Sequence, residues 1–337
     1  MRQEEVNLRQ APQRDRTASG PALSVGCILI DRFTISALAN FIDVLRLAAD
    51  EGDRSRPIQC RWTIISSDMQ PVRSSSGIAV QPHERFGDPA RFHYVVVVGG
   101  VMEGTNFRDP SIERFLRSCD RVGVALVGLC TGTFILHRAG LMDGYKCCVS
   151  WFHYADFRAE FAGIQPVSDK IFVVDRNRLT CSGGANTAHI AAHLVERHLG
   201  KAAAEKSLQI MLFDGVHLGD SPQPAPPAFA GVEDALVVKA LNLMQQHIEI
   251  PLSIQQIADR LEASRRSLER RFQLAVSESP AKAYLGLRLS RAQTLLSIGQ
   301  KPVSTIALEC GFCDASHLGK VMRGHANRGT DHGPRTF

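Results

Sequence analysis

A cysteine sits between spaced glycines in Gly128-Leu129-Cys130-Thr131-Gly132. Glycines two residues before and two after a nucleophile permit the sharp strand-to-helix elbow that exposes its side chain at a helix N-terminus. There the helix dipole favours a thiolate. The spacing fits such an elbow, and equally a buried cysteine in a tight turn. A second chemistry-bearing group is Arg265, Arg266, Glu269 and Arg270, left on the outward face of a short helix whose Leu268 and Phe272 turn inward. Arginine forks match guanine edges and phosphates. Taken alone, the same face is also what a solvated helical hairpin presents.

The elements that position Cys130 alternate between strand and helix signals over residues 23–214. Strand candidates are 23–30, 60–66, 94–98, 122–127, 171–174 and 179–181; helical stretches fall at 35–49, 110–118, 132–138, 185–198 and 201–213. The run Val95-Val96-Val97-Val98 is apolar throughout, as a strand covered on both faces requires. The pattern predicts an α/β sandwich on a mostly parallel sheet. In such sheets ligands bind beyond the carboxyl ends of the strands. The loops there supply the candidate binding residues Gly99, Gly100, Cys130, Thr131, Trp151, His153, Ser182, Gly183 and Asn186. Ser182-Gly183-Gly184 opens a helix whose free N–H groups suit a carboxylate. The aromatic run Trp151-Phe152-His153-Tyr154 suits a cationic nitrogen, or else packs in the core. A small zwitterion, such as an amino acid or a betaine-like compound, is the expected ligand.

The arginine-bearing helix follows another short one. Ile254, Ile257, Ala258 and Leu261 fall at helical spacing, and Ser264 is placed to cap the next helix. The arrangement recurs at residues 303–321, where Ser316, His317 and Lys320 take the outward positions. Between the two lies Ser279-Pro280 followed by a Leu/Ala stripe, which describes one long helix. Two helix-turn-helix units joined by a rigid connector would present two recognition helices to successive major-groove faces, which recur about every 34 Å.

At 337 residues the chain is long enough for two domains. From residue 234 onward 14 Lys/Arg face 9 Asp/Glu, so the whole net charge of +5 resides there, and the first 233 residues balance at 25 each. A neutral domain joined to a basic one fits a sensor attached to a DNA binder. No segment reads as a membrane span or a secretory leader. Nine scattered cysteines indicate a reduced cytosolic compartment. Cys310-Gly-Phe-Cys313 has CxxC spacing but no second pair to complete a zinc site. Neither metal nor cofactor is implied. The expected divisions are a disordered tail over 1–20, a sensor domain over 21–216, and an extended Pro-rich linker over 217–232. A DNA-binding domain over 233–323 and an atypical tail over 324–337 follow.

The stretches "SIQQIADRLEASRRSLERRFQ", "SPAKAYLGLRLSRAQTLL" and "VSTIALECGFCDASHLGKVMR" resemble the AraC/XylS family of bacterial transcription regulators. "YVVVVGG", "LCTGTFILHRAGLMDG" and "FVVDRNRLTCSGGANTAHIAAHLVERHLG" resemble the class I glutamine amidotransferase-like/PfpI superfamily, a flavodoxin-like sandwich. Together the chain is similar to the GlxA-type subgroup of AraC regulators. The resemblance implies a DNA-binding regulator, an activator, with a small-molecule effector, a second copy of the chain and RNA polymerase as further partners. It also implies a nucleoid-associated state when bound. Arg266, Glu269 and Arg270 would face DNA from the first unit, and Ala315, Ser316, His317 and Lys320 from the second.

The chain departs from these patterns in three places. Protease-like members set His directly after the cysteine, where this chain has Thr131. Others set an acidic residue on the first helix, at a position that aligns with Ser36 and Ala37. After Gly324 the family's final packing helix is expected to be lost. The rival reading is a PfpI-type cysteine hydrolase or amidase with Cys130 as nucleophile and a DNA-binding tail; a regulator damaged at its C-terminus is the third.

Overall fold

A computed structural model describes residues 21–329 apart from 53, 103–108, 225 and 300. The expected tail over 1–20 and the last residues of the C-terminal tail lie outside the described residues. The chain divides between Ser221 and Pro222 into two compact units.

The first unit is built from nine strands and six helices among the described residues. In chain order they are β1 (Leu23–Leu29), α1 (Ile35–Ala48), β2 (Cys60–Ser66), β3 (Val72–Arg73), β4 (Ala79–Val80), β5 (Glu84–Arg85) and β6 (Tyr94–Val98). Then come α2 (Pro110–Arg121), β7 (Ala125–Leu129), α3 (Gly132–Arg138), α4 (Tyr154–Glu160), β8 (Phe172–Asp175), β9 (Arg178–Cys181), α5 (Thr187–Leu199) and α6 (Lys201–Ile210). Seven strands form one sheet in the order β5-β2-β1-β6-β7-β9-β8, parallel except for the β8–β9 pair.

Alternation along the central strands feeds two cores. Tyr94, Val96 and Val98 join α1, α5 and α6 on one face, while Val95 and Val97 join α2, α3 and α4 on the other. That is why the β6 segment carries no polar residue. The six strands expected from the pattern are present, two with the expected bounds and four with shifts of one to three residues at their ends. The two-residue strands β3, β4 and β5 and the short helix α4 were not anticipated.

The residues read as an extended linker are held at both ends. The Ile171 and Phe172 N–H groups donate to Ser221 O (3.0 Å) and Gly219 O (3.4 Å), extending the edge beside β8. Gln223 is buried and its carbonyl accepts from Asn242 Nδ2 at 3.1 Å. Pro227–Phe229 is a 3-10 turn, and Phe229 and Val232 pack on the second unit's core. Prolines remove donors but leave carbonyls free to be claimed by neighbours. Its described ends are thus bonded to the units they adjoin.

The second unit is all helical among the described residues: α7 (Ala235–Gln246), α8 (Ile254–Arg260), α9 (Arg265–Val276), α10 (Pro280–Ile298), α11 (Val303–Glu309) and α12 (Ala315–Gly329). Local signals set its boundaries. Ser253 and Gln256 form a reciprocal capping box at α8. Ser264 caps α9 by accepting from the Ser267 N–H, and Ser279 caps α10 with Pro280 in its first turn. Ile257, Ala258, Leu268 and Phe272 meet α7 and the start of α10 in one core; Ile306, Ala307, Cys310 and Leu318 meet the rest of α10 in another. The last described helix continues past Gly324 to Gly329, into the segment read as an atypical tail. Leu318, Val321 and Met322 pack it on the second of these cores.

Candidate functional site

Two sites emerge, one in each unit. In the first, Cys130 sits at the β7–α3 junction with φ +56°, a left-handed conformation rare for a residue with a side chain. Glycine makes this possible where backbones meet. A Cβ at Gly132 would lie 2.1 Å from Val97 O, and one at Gly183 would lie 2.8 Å from Cys130 Cβ. The elbow geometry read from the sequence is present. Its expected thiolate is not: burial pushes the Cys130 thiol above its ordinary value of 9.0, against smaller opposing contributions from Thr34 and the Thr131 N–H. Desolvation outweighs the dipole here. Cys130 Sγ lies 3.6 Å from Thr34 Oγ1, so the residue facing the thiol is a neutral hydroxyl at the N-cap of α1 and neither Ser36 nor Ala37.

Cys130 lines an open cleft of about 820 Å³ with Thr34, Gly100, Met102, Phe152, His153 and Asp156, among others. Of the residues proposed from sequence, Gly100, Cys130 and His153 line it. Gly99 is buried behind them, its carbonyl accepting from the Thr34 N–H. Thr131 is turned inward, donating to Gly100 O at 2.9 Å. Trp151 packs edge-on to Phe152 without being among the lining residues.

The Ser182–Asn186 loop is spent on itself. Ser182 Oγ donates to Ile171 O and accepts from Asn186 Nδ2, both at 3.0 Å, and the Gly183 N–H points at Cys181 Sγ. The loop leads first into a 3-10 turn, Gly184–Asn186, and not directly into the long helix. These contacts occupy the Ser182 and Asn186 side chains and the Gly183 N–H. His189, a buried imidazole on α5, accepts from the His217 N–H and packs on Phe213.

Sequence reasoning missed the α4 wall of the cleft. His153 Nδ1 and Asp156 Oδ2 are 3.0 Å apart, and Glu160 is held by Arg138 through a fork whose second bond is 2.7 Å. Phe152 is 67 % exposed and lines the cleft, its ring edge-on to Trp151 and His153. These contacts join residues far apart in the chain or on a seven-residue helix too short to announce itself. Only the Trp-Phe-His-Tyr aromatic run signalled the place.

In the second unit the proposed DNA-facing residues Arg265, Arg266, Glu269 and Arg270 are all exposed on α9, and Ser316, His317 and Lys320 are exposed on α12. Arg265 Nε pairs with Glu269 Oε1 at 2.8 Å. Arg266 and Arg270 form no ion pair among the described residues. Arg271 instead turns back to Asp234 (3.2 Å), the N-cap of α7. His317 packs edge-on to Phe312, and its N–H is capped by Asp314. Cys310 is fully buried and Cys313 exposed, so the CxxC pair splits between core and solvent. No group of metal-binding side chains occurs among the described residues, and no described helix is long and apolar enough to cross a membrane.

A sandwich with a Cys elbow and a pair of helix-turn-helix units define a two-domain DNA-binding regulator. The comparisons with known proteins agree. Residues 42–197 match the DJ-1/PfpI family and residues 257–328 a helix-turn-helix domain. The HTH-type transcriptional regulator GbdR of Pseudomonas aeruginosa (strain UCBPP-PA14) is 31% identical over 301 residues, 89% of this chain and 81% of that protein. The HTH-type transcriptional regulator GlxA of Rhizobium meliloti (strain 1021) is 26% identical over 301 residues, 89% of this chain and 91% of that one. The chain thus belongs to the AraC-type transcription regulators that carry a DJ-1/PfpI domain ahead of their helix-turn-helix units. An isonitrile hydratase of Pseudomonas putida is 29% identical over 215 residues, 63% of this chain and 84% of that enzyme. The regulators match along both units, whereas the hydratase matches the first alone.

Proposed function

We propose that the chain regulates transcription in response to a small molecule with a cationic nitrogen, an amino acid or a betaine-like zwitterion, bound in the Cys130 cleft. The observation that carries this is the α4 wall, where the Asp156 carboxylate and the exposed Phe152 ring line one cleft. A carboxylate and an aromatic face both favour a cation, the ring by about 0.5–2 kcal/mol. The thiol on the opposite side stays protonated and touches a neutral hydroxyl, so it serves as part of the wall. Ligand binding shifts the arrangement of a cytoplasmic dimer so that both helix-turn-helix units meet their site and RNA polymerase is recruited; the ligand's differential affinity for the two arrangements supplies that shift.

Titration calorimetry on the full chain with a panel of amino acids and betaines tests the reading. One class gives heat, and Asp156→Asn weakens that class at least tenfold, or about 1.4 kcal/mol. Heat from no compound, or equal affinity in the variant, removes the proposal.

A further inference from the structure

The connector α10 does more than separate the two helix-turn-helix units. Tyr284 and Arg288 stand one turn apart on it, and each reaches a different unit. The Tyr284 hydroxyl donates to His247 O at 2.6 Å and accepts from the Leu252 N–H at 3.2 Å, which closes the loop that enters α8. Arg288 donates from Nε to Cys310 O at 2.9 Å and from Nη2 to Gly311 O at 2.6 Å. Its guanidinium carbon also lies 4.3 Å from the Phe312 ring centre. Those two carbonyls belong to the turn that ends α11, where helix carbonyls lack internal donors and partial negative charge gathers. Arg288 forms no ion pair among the described residues, so its charge is directed to this turn.

The two clamped segments also touch each other. A Cβ at Gly311 would lie 2.5 Å from Ile248 O and 2.6 Å from Pro251 Cγ. The loop before α8 and the turn before α12 are therefore in van der Waals contact, and both are bonded to one face of α10. Phe312 passes the constraint on to His317 of α12, 5.5 Å away between ring centres.

We infer that Arg288, with Tyr284, is a positioning residue for DNA reading: it fixes the separation of α9 and α12, so that the chain measures the spacing between two DNA segments as well as their bases. A connector helix alone leaves a hinge at each end, and these two side chains close both hinges. Inserting one base pair displaces the second segment by about 3.4 Å and about 35° around the duplex. A braced pair of recognition helices cannot follow that displacement, whereas a hinged pair can.

The test uses the full chain and a duplex selected by it from a random pool, with the two contacted segments mapped by footprinting. Affinities are compared for that duplex and for versions with one base pair inserted or removed between the segments. The wild-type chain binds the shifted versions at least tenfold more weakly. Tyr284→Phe and Arg288→Lys reduce that ratio to threefold or less. A merely structural role would weaken binding to all duplexes by one factor and leave the ratio at its wild-type value, which overturns the inference, as does a wild-type ratio below threefold. Circular dichroism checks folding; if Arg288→Lys does not fold, the Tyr284→Phe ratio decides.

Discussion

Replacing Gly311 by Ala should selectively unfold the second unit. Gly311 has φ +73°, and the residue at the corresponding turn of the first helix-turn-helix unit, Glu262, has φ +53°. A side chain in this left-handed region costs roughly 1–2 kcal/mol. Glu262 tolerates that cost because its turn faces solvent. Gly311 adds a second cost, since its Cβ would lie 2.5 Å from Ile248 O and 2.6 Å from Pro251 Cγ. Neither atom is the free end of a flexible side chain, so relief requires backbone movement, for which overpacking costs of about 1–3 kcal/mol are usual. The sum is about 2–5 kcal/mol, or a fall in melting temperature of at least about 8 °C for a unit of this size.

The chain supplies its own control. Both of its tryptophans, Trp62 and Trp151, lie in the first unit, so tryptophan fluorescence reports that unit, while dichroism at 222 nm follows the helices of the second as well. The dichroism transition should fall and the fluorescence transition should not. A Gly311→Ala chain within about 0.5 kcal/mol of wild type would refute the close packing between the second turn and the loop ahead of α8, since surface substitutions commonly stay inside that margin.

Two further predictions rest on the same structure. Arg266, exposed and without an ion-pair partner among the described residues, should cost about 1–3 kcal/mol of discrimination on replacement by Ala if it reads a base edge. In binding to permuted duplexes, uniform weakening would instead assign it to phosphate. The first unit should also be most stable between about pH 6.5 and 9. Burial pulls His137 and His189 down to about 4, so they fold neutral, and their contribution is lost as pH falls from 6.5 towards 4. Burial pushes Cys27, Cys119, Cys147 and Cys181 up to about 12, so their contribution is lost as pH rises from 9. The limiting slope is about 1.4 kcal/mol per pH unit for each buried group, read by denaturant melts followed through tryptophan fluorescence, and a flat profile from pH 6.5 to 4.5 would contradict it.

The parts of this fold that were legible are those encoded locally. The four valines of β6 needed only alternation between two covered faces, and Ser264, Ser279-Pro280 and the Ser253/Gln256 pair each mark a helix start within four residues. What was not legible depends on distance along the chain. Thr34 meets Cys130 across 96 residues, a contact that the family pattern, which aligned Ser36 and Ala37 of the first helix with that place, did not give. The short α4 buries Tyr154 and Phe157, too few for a period, yet it carries Asp156 and Glu160 to the cleft. The Ser182–Asn186 loop failed in the opposite way. Its Ser182 and Asn186 side chains, read as ligand contacts, bond to each other, and its glycines lead into a 3-10 turn ahead of the long helix.

Likeness to a hydratase and membership among regulators are reconciled at the elbow itself. The Cys130 backbone is held in its left-handed conformation by glycines that let β6, β7 and the Gly183 turn approach within contact of it. Nucleophilic catalysis asks for more: a thiolate, or a base within hydrogen-bond reach of the thiol. Burial holds the proton on Cys130, and the nearest bonding side chain is the Thr34 hydroxyl. His153 shares the cleft but is bonded to Asp156. An elbow that keeps its strained geometry while its thiol is held neutral beside a hydroxyl accounts for likeness to an enzyme in a chain that belongs to the regulators.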